Sequence, residues 1–219
     1  VVRIPVPGTQ GLAIERAPTG SRWQLGPLPP ERGCIALIRW DVEPRAVDGG
    51  LPDQLVQVLA QTLCAAGRVV GLVPRTARVD PGRWVDVSPN EQVLVSRGHL
   101  VKRVKRALTG CEPRAWCATT HPDGVVRLLN DPGWTLQGQI VLVFPMVAPL
   151  PSLPDADDAN ADLLSDRWAD AVSLLGPLYA LRPGVDGAVA GLWSPTEAAR
   201  VQLVAMLTER ARAAGIRVT

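Results

Sequence analysis

The sequence predicts an α+β protein: a mixed or antiparallel sheet carrying two helices, followed by a smaller βαβ-like C-terminal unit. Three observations lead there. Short apolar runs such as Cys34–Trp40 and Gln139–Phe144 recur between Pro- and Gly-rich breaks, as buried strands do. Two longer stretches, Leu51–Ala66 and Gly98–Leu108, place apolar residues at helical spacing. The tail alternates strand, helix and strand, with a strong helix start between the first two.

The elements follow in order. Val1–Val6 and Leu12–Glu15 read as short strands around Pro7-Gly8, and a Pro/Gly-rich loop covers Gly26–Gly33. Cys34–Trp40 is a buried strand. Gly49-Gly50 breaks the chain before a helix in which Leu51, Leu55, Val58, Leu59, Thr62 and Leu63 share a face and Gly67 is the stop. Val69–Val73 is expected to return as a strand beside the first. Arg83–Val87 and Val93–Val95 are candidate strands, and Gly98–Leu108 is a basic amphipathic helix. Ala115–Thr119, Val125–Leu129 and Gln139–Phe144 read as three more strands. Pro122-Asp123-Gly124 and Asp131-Pro132-Gly133 would turn between them, making an antiparallel meander.

A Pro-rich, acidic stretch, 146–161, then reads as a linker or surface loop between a main domain (1–145) and a C-terminal α/β lobe (162–219), which could also share the main domain's sheet. Asp162–Tyr179 is expected as one amphipathic helix and Val185–Leu192 as a strand. Ser194-Pro195-Thr196-Glu197 starts the last helix, with Ser194 as N-cap and Pro195 in the first helical position. That helix runs to about Ala214, Gly215 stops it, and Ile216–Val218 closes the chain as a strand.

Composition narrows the class. The chain has 219 residues, 47% of them apolar, and a net charge of +2. A chain of this length buries roughly 70% of its unfolded surface and needs no disulfide or metal to fold. Near-neutral charge argues against a protein that coats nucleic acid all over. There are 21 Arg but only two Lys, with Ala, Gly, Pro and Val abundant. This usage tracks GC-rich codons and leads to the expectation of a GC-rich bacterial genome or its phage. Cys34, Cys64, Cys111 and Cys117 are ordinary for a reduced cytoplasm. No secretory signal opens the chain, and the longest apolar stretch, Ile140–Leu150, is too short to span a bilayer. The expected location is the cytoplasm, or a particle assembled there.

Three constellations could carry chemistry. The first is Arg97, Lys102, Arg103, Lys105 and Arg106, which hold both lysines of the chain within ten residues. On a helix of about 100° per residue, Lys102, Lys105 and Arg106 share a face that could track a phosphate backbone and release its counterions. The second is Asp41-Val42-Glu43, directly after a buried strand. Two carboxylates at i and i+2 point the same way and can hold a divalent cation for phosphoryl transfer, with His99, Asp131 and Arg97 as further candidates by residue type. The third is His99, Cys111, Cys117 and His121, which have ligand types suited to zinc but lack the short Cys-x2–4-Cys knuckle. Cys117–His121 is also a candidate nucleophile pair, with no third group to activate it.

Acidic-x-acidic-Pro at Asp41–Pro44, then a helix, then Ser96-Arg97-Gly98-His99, resembles in outline the archaeo-eukaryotic primase–polymerase family. The chain departs from that pattern in having Glu43 for a second Asp, no Gly-rich stretch before the His, and only Asn130-Asp131 at the third motif. No membership is assigned. Also absent are Gly-x-Gly-x-x-Gly after a strand, a phosphate loop, a Gly-x-Ser-x-Gly elbow and His-Glu-x-x-His.

The leading expectation is a non-enzymatic interaction or assembly protein. Its partner is another protein or a second copy, with nucleic acid as a candidate ligand of the basic helix; no cofactor and no membrane are expected. The alternative is a divalent-metal-dependent phosphoryl- or nucleotidyl-transfer enzyme using Asp41 and Glu43, with His99 as a third group.

Overall fold

The computed structural model describes residues 11–16, 33–41, 53–74, 84–94, 114–131, 139–154, 156, 168–183 and 189–219. Its elements are β1 (Gly11–Arg16), β2 (Cys34–Asp41), α1 (Asp53–Ala66), β3 (Arg68–Pro74), β4 (Trp84–Ser88), β5 (Glu91–Leu94) and β6 (Arg114–Thr119). They continue with α2 (Pro122–Asn130), β7 (Val141–Phe144), α3 (Trp168–Leu175), β8 (Tyr179–Pro183), β9 (Val189–Ser194), α4 (Glu197–Ala213) and β10 (Arg217–Val218).

The strands form one ten-stranded sheet in the order β10-β1-β2-β9-β8-β7-β3-β6-β5-β4. Every neighbouring pair is antiparallel except β1 with β10. The class is α+β, as the short apolar runs predict. Both faces of the sheet's centre are buried, so the central strands are apolar at consecutive positions and period two shows in which cluster each side chain joins. Ala36, Ile38, Val69, Cys117, Val141, Val143, Leu181 and Leu192 join one core. Their neighbours Val70, Trp116, Leu142, Phe144, Ala180 and Trp193 join the other.

Three helices cover the first face. α1 lies between α2 and α4 and contacts both. It presents Leu55, Val56, Val58, Leu59, Ala60, Thr62 and Leu63 inward, close to the face its spacing predicts. α4 needs only a narrow stripe, Leu203, Leu207 and Ala211, to seat on the sheet. The crossovers β2–α1–β3, β6–α2–β7 and β9–α4–β10 each join strands of the same direction across intervening strands. With their helices on one face, the three crossovers share one hand, as strand twist dictates. On the second face lie α3, through Trp168, Ala169 and Val172, and the segment that follows β7, through Leu153 and Ala156. Trp116 Nε1 donates to Pro154 O at 2.9 Å and ties that segment down. Arg182 stacks over Trp168, 5.9 Å from the ring centroid.

Several local expectations change. Val125–Leu129 is not a strand but the body of α2. Its paired Val residues suggest a strand, but His121 caps the helix, Nδ1 accepting from Asp123 N at 3.3 Å, and Pro122 pre-sets its first turn. Val125, Leu128 and Leu129 then fall on one buried face. The meander is therefore limited to β4-β5-β6, and β3 sits between β6 and β7. β3 does not return beside β2, because β9, β8 and β7 intervene. The helix expected to reach Tyr179 stops at Leu175: Gly176-Pro177 breaks it, and Tyr179 opens β8. Ser194 does not cap the last helix. It is still paired with Cys34 in the sheet, and Thr196 Oγ1 accepts from Ala199 N at 3.2 Å instead. Gly215, with φ +76°, ends α4 as expected. The strand expected at Val1–Val6 and the basic helix at Gly98–Leu108 lie outside the described residues.

Candidate functional site

Strand direction decides which residues share an edge of the sheet. Six antiparallel steps separate β2 from β5, so both run the same way and end on the same edge. Asp41, the last residue of β2, and Leu94, the last of β5, therefore lie on one edge, where β6 starts at Arg114 and α2 ends at Asn130. Asp41 is paired in register with Gly11 of β1.

A polar network is built into this edge. Arg114 Nη1 donates to Asp131 Oδ1 at 3.1 Å and to Gln139 Oε1 at 2.9 Å. Asp131 is the C-terminal cap of α2, and Gln139 is buried just before β7. One guanidinium thus fastens the start of β6, the end of α2 and the approach to β7. The ion pair is largely shielded, with side-chain exposures of 19% and 11%, so water screens it less than a surface pair. The network ties β6, α2 and the approach to β7 together at this edge. Asp131, a candidate metal ligand by residue type, has its carboxylate facing Arg114.

β5 ends at Leu94 and its antiparallel neighbour β6 begins at Arg114. Arg97, His99, Lys102, Arg103, Lys105, Arg106 and Cys111 fall between these two anchors, outside the described residues, as does Glu43 beyond Asp41. Cys117 and His121 are described and play different parts. Cys117 is in the core beneath the helices, and burial pushes its thiol from 9.0 up to about 11. His121 is exposed and caps α2. Among the described residues no group of three or more His, Cys, Asp or Glu is arranged to hold a metal ion.

The opposite edge holds a grouping that local sequence patterns do not reveal. Cys34 and Ser194 begin β2 and end β9 as register partners. Each alternates with residues of the helix-side core, Ala36 and Ile38 for Cys34, Ala190 and Leu192 for Ser194, so both point toward the α4 side. Arg200, the fourth residue of α4, donates from Nε to Glu197 Oε2 at 2.9 Å and from Nη2 to Glu197 Oε1 at 2.5 Å. That bond is the main cause of its raised pKa, opposed by burial, and the nearby Cys34 adds to the rise. Ser194 Oγ is buried and finds no hydrogen-bond partner among the described residues.

No helix among the described residues is long and apolar enough to cross a membrane. No family model, curated protein or solved structure matches the chain.

Proposed function

We propose that the protein is a non-enzymatic interaction or assembly protein that engages a polyanion, nucleic acid first among them, through Arg97, Lys102, Arg103, Lys105 and Arg106. One observation carries this reading. β5 and β6 are neighbouring antiparallel strands, and a hairpin of roughly two to five residues suffices to join such strands. Here the connection is nineteen residues, 95–113, and it holds five of the chain's 23 cationic side chains, including both lysines. Closing the sheet does not require that length or that charge. A connection so much longer than its span is the usual form of a binding segment on a rigid frame. Arg114 belongs to the frame, because Asp131 and Gln139 engage it.

A second reading has one observation in its favour. Asp41 ends β2 on the same edge from which 95–113 departs. A metal held by Asp41 and Glu43, with His99, would then work on a phosphate backbone held by the cations.

The test is fluorescence anisotropy of labelled single- and double-stranded DNA and RNA at several salt concentrations. Binding is expected, with a log–log salt slope of about −0.7 to −0.9 per phosphate neutralised. Lys102→Glu, Lys105→Glu and Arg106→Glu together should abolish it, and Asp41→Ala should leave it intact. Unchanged binding in the triple variant refutes the proposal. Divalent-metal-dependent turnover of the nucleic acid that Asp41→Ala abolishes would establish the second reading instead.

A further inference from the structure

The corner where β2 begins and β9 ends combines a thiol, a guanidinium, the first turn of a long helix and an unsatisfied hydroxyl. Of the described cysteines, Cys64 and Cys117 are pushed up to about 11 by burial, which keeps them protonated and unreactive. Cys34 is a partly buried thiol, as Cys64 is, but its neighbours differ: it starts β2 beside the end of β9, next to the first turn of α4, and its charge acts on Arg200. Arg200 and Glu197, both on α4, are paired charged groups of this corner. Glu197 occupies Nε and Nη2 of the guanidinium, leaving the Nη1 side for another anion. The Glu197 side chain is 47% exposed and Arg200 only 15%, so water screens the carboxylate more than the cation. α4 has 17 residues, and the positive end of its dipole faces this corner.

Ser194 supplies the independent observation. Its residue is 0% exposed, its side chain is on the α4 side directly across from Cys34, and its hydroxyl has no partner among the described residues. A buried hydroxyl without a partner is costly, and such groups mark places where an acceptor arrives.

We propose that Cys34, Arg200 and Ser194 form a modification site for small peroxide-type oxidants. Arg200 and the first turn of α4 hold Cys34 as a thiolate. The thiolate sulfur attacks one oxygen of hydrogen peroxide and the O–O bond breaks. The departing hydroxide takes a proton from solvent. Sulfur is oxidised by two electrons to a sulfenic acid, and the peroxide is reduced to water. The Ser194 hydroxyl donates to the oxygen now on the sulfur.

The experiment uses the full chain. Alkylation by iodoacetamide is followed by peptide mass spectrometry across a pH series, on folded protein and on protein unfolded in urea. A second arm treats folded protein with hydrogen peroxide and traps sulfenic acid with dimedone. The Cys34 rate should rise with a midpoint below that of the unfolded chain, and Cys34 should be the main dimedone adduct. Arg200→Met should move the midpoint up and slow Cys34 by about threefold or more at neutral pH, with Arg200→Lys restoring it. Ser194→Ala should leave alkylation unchanged and lower the dimedone yield. A folded midpoint equal to the unfolded one overturns the proposal without recourse to any variant. So does an Arg200→Met protein of native circular dichroism whose Cys34 reacts as fast as before.

Discussion

Gly71 and Leu128 provide a test of the fold's least expected feature, the helix α2 on the sheet. A methyl group added at Gly71, in the middle of β3, would meet Leu128 Cδ2 at 3.0 Å and Cδ1 at 3.2 Å. Leu128 is 3% exposed in the helix-side core. Gly71→Ala therefore overpacks the β3–α2 contact, which costs about 1–3 kcal/mol, offset by about 0.5–1 kcal/mol for replacing Gly within a strand. Leu128→Ala removes the opposing side chain and costs about 2.7–5 kcal/mol, depending on how far the site collapses. The two changes should not add. In the Leu128→Ala background the Gly71 methyl enters the vacated space, so the double variant should be at least about 1 kcal/mol more stable than the summed single effects imply. Urea unfolding, followed by tryptophan fluorescence and far-ultraviolet circular dichroism, measures each corner of the cycle. Coincident transitions by the two probes license the free energies. Additivity to within about 0.5 kcal/mol would mean that Leu128 does not lie over Gly71, and the placement of α2 would fall with it.

Three further outcomes are expected. Thr196→Ala, which removes the cap of α4, should lose about 0.5–2 kcal/mol, whereas Ser194→Ala should cost nothing in urea unfolding because its hydroxyl has no partner to lose. Arg114→Met takes a charged donor from both Asp131 and Gln139 and should cost about 1–3 kcal/mol, more than Asp131→Asn, which keeps an acceptor for Arg114. Burial raises the Cys64 and Cys117 thiols from 9.0 to about 11, so as pH rises through 9 the unfolded chain releases these protons while the folded chain keeps them. Stability should therefore fall between pH 9 and about 11, with Tyr179, also raised by burial, acting in the same direction. The slope of the urea midpoint against pH should flatten in Cys64→Ala and in Cys117→Ala.

What the sequence revealed and what it hid divide along one physical line. α1 was legible from its apolar spacing and stop, α4 from its start and stop signals, and β2 as an apolar run, and all of these signals are local. α2 was misread for a local reason: Val125-Val126 favours a strand, and the deciding signal, the His121 cap with Pro122 behind it, is shared by loops and helices. Strand order was hidden for a different reason. β9 pairs with β2 across about 150 residues of chain, and nothing in either segment names its partner. The same gap hid the Cys34–Ser194–Arg200 grouping. Cys34 reads as a core residue and Ser194 as a cap until the register sets them side by side. The Arg114–Asp131–Gln139 network was equally invisible, since it needs α2 to deliver Asp131 to the start of β6. The basic segment was legible as charge alone. Its anchorage between adjacent strands is what the topology adds.

The two proposed sites can be tested without confusing one with the other, and β2 is the reason. Cys34 is its first residue and Asp41 its last, in a strand of eight residues. At roughly 3.4 Å per residue the two lie about 24 Å apart, on opposite edges of the sheet. No small ligand spans that distance, and β2 is held in register on both sides, which leaves no second arrangement for a ligand at one end to select. Protein alkylated at Cys34 should therefore bind nucleic acid with the same affinity and salt slope as untreated protein. The triple reversal at Lys102, Lys105 and Arg106 should leave the Cys34 alkylation midpoint where it was. Loss of binding on alkylation, with circular dichroism unchanged, would mean that both edges serve one surface. The sheet would then be the device that couples them rather than the frame that keeps them apart.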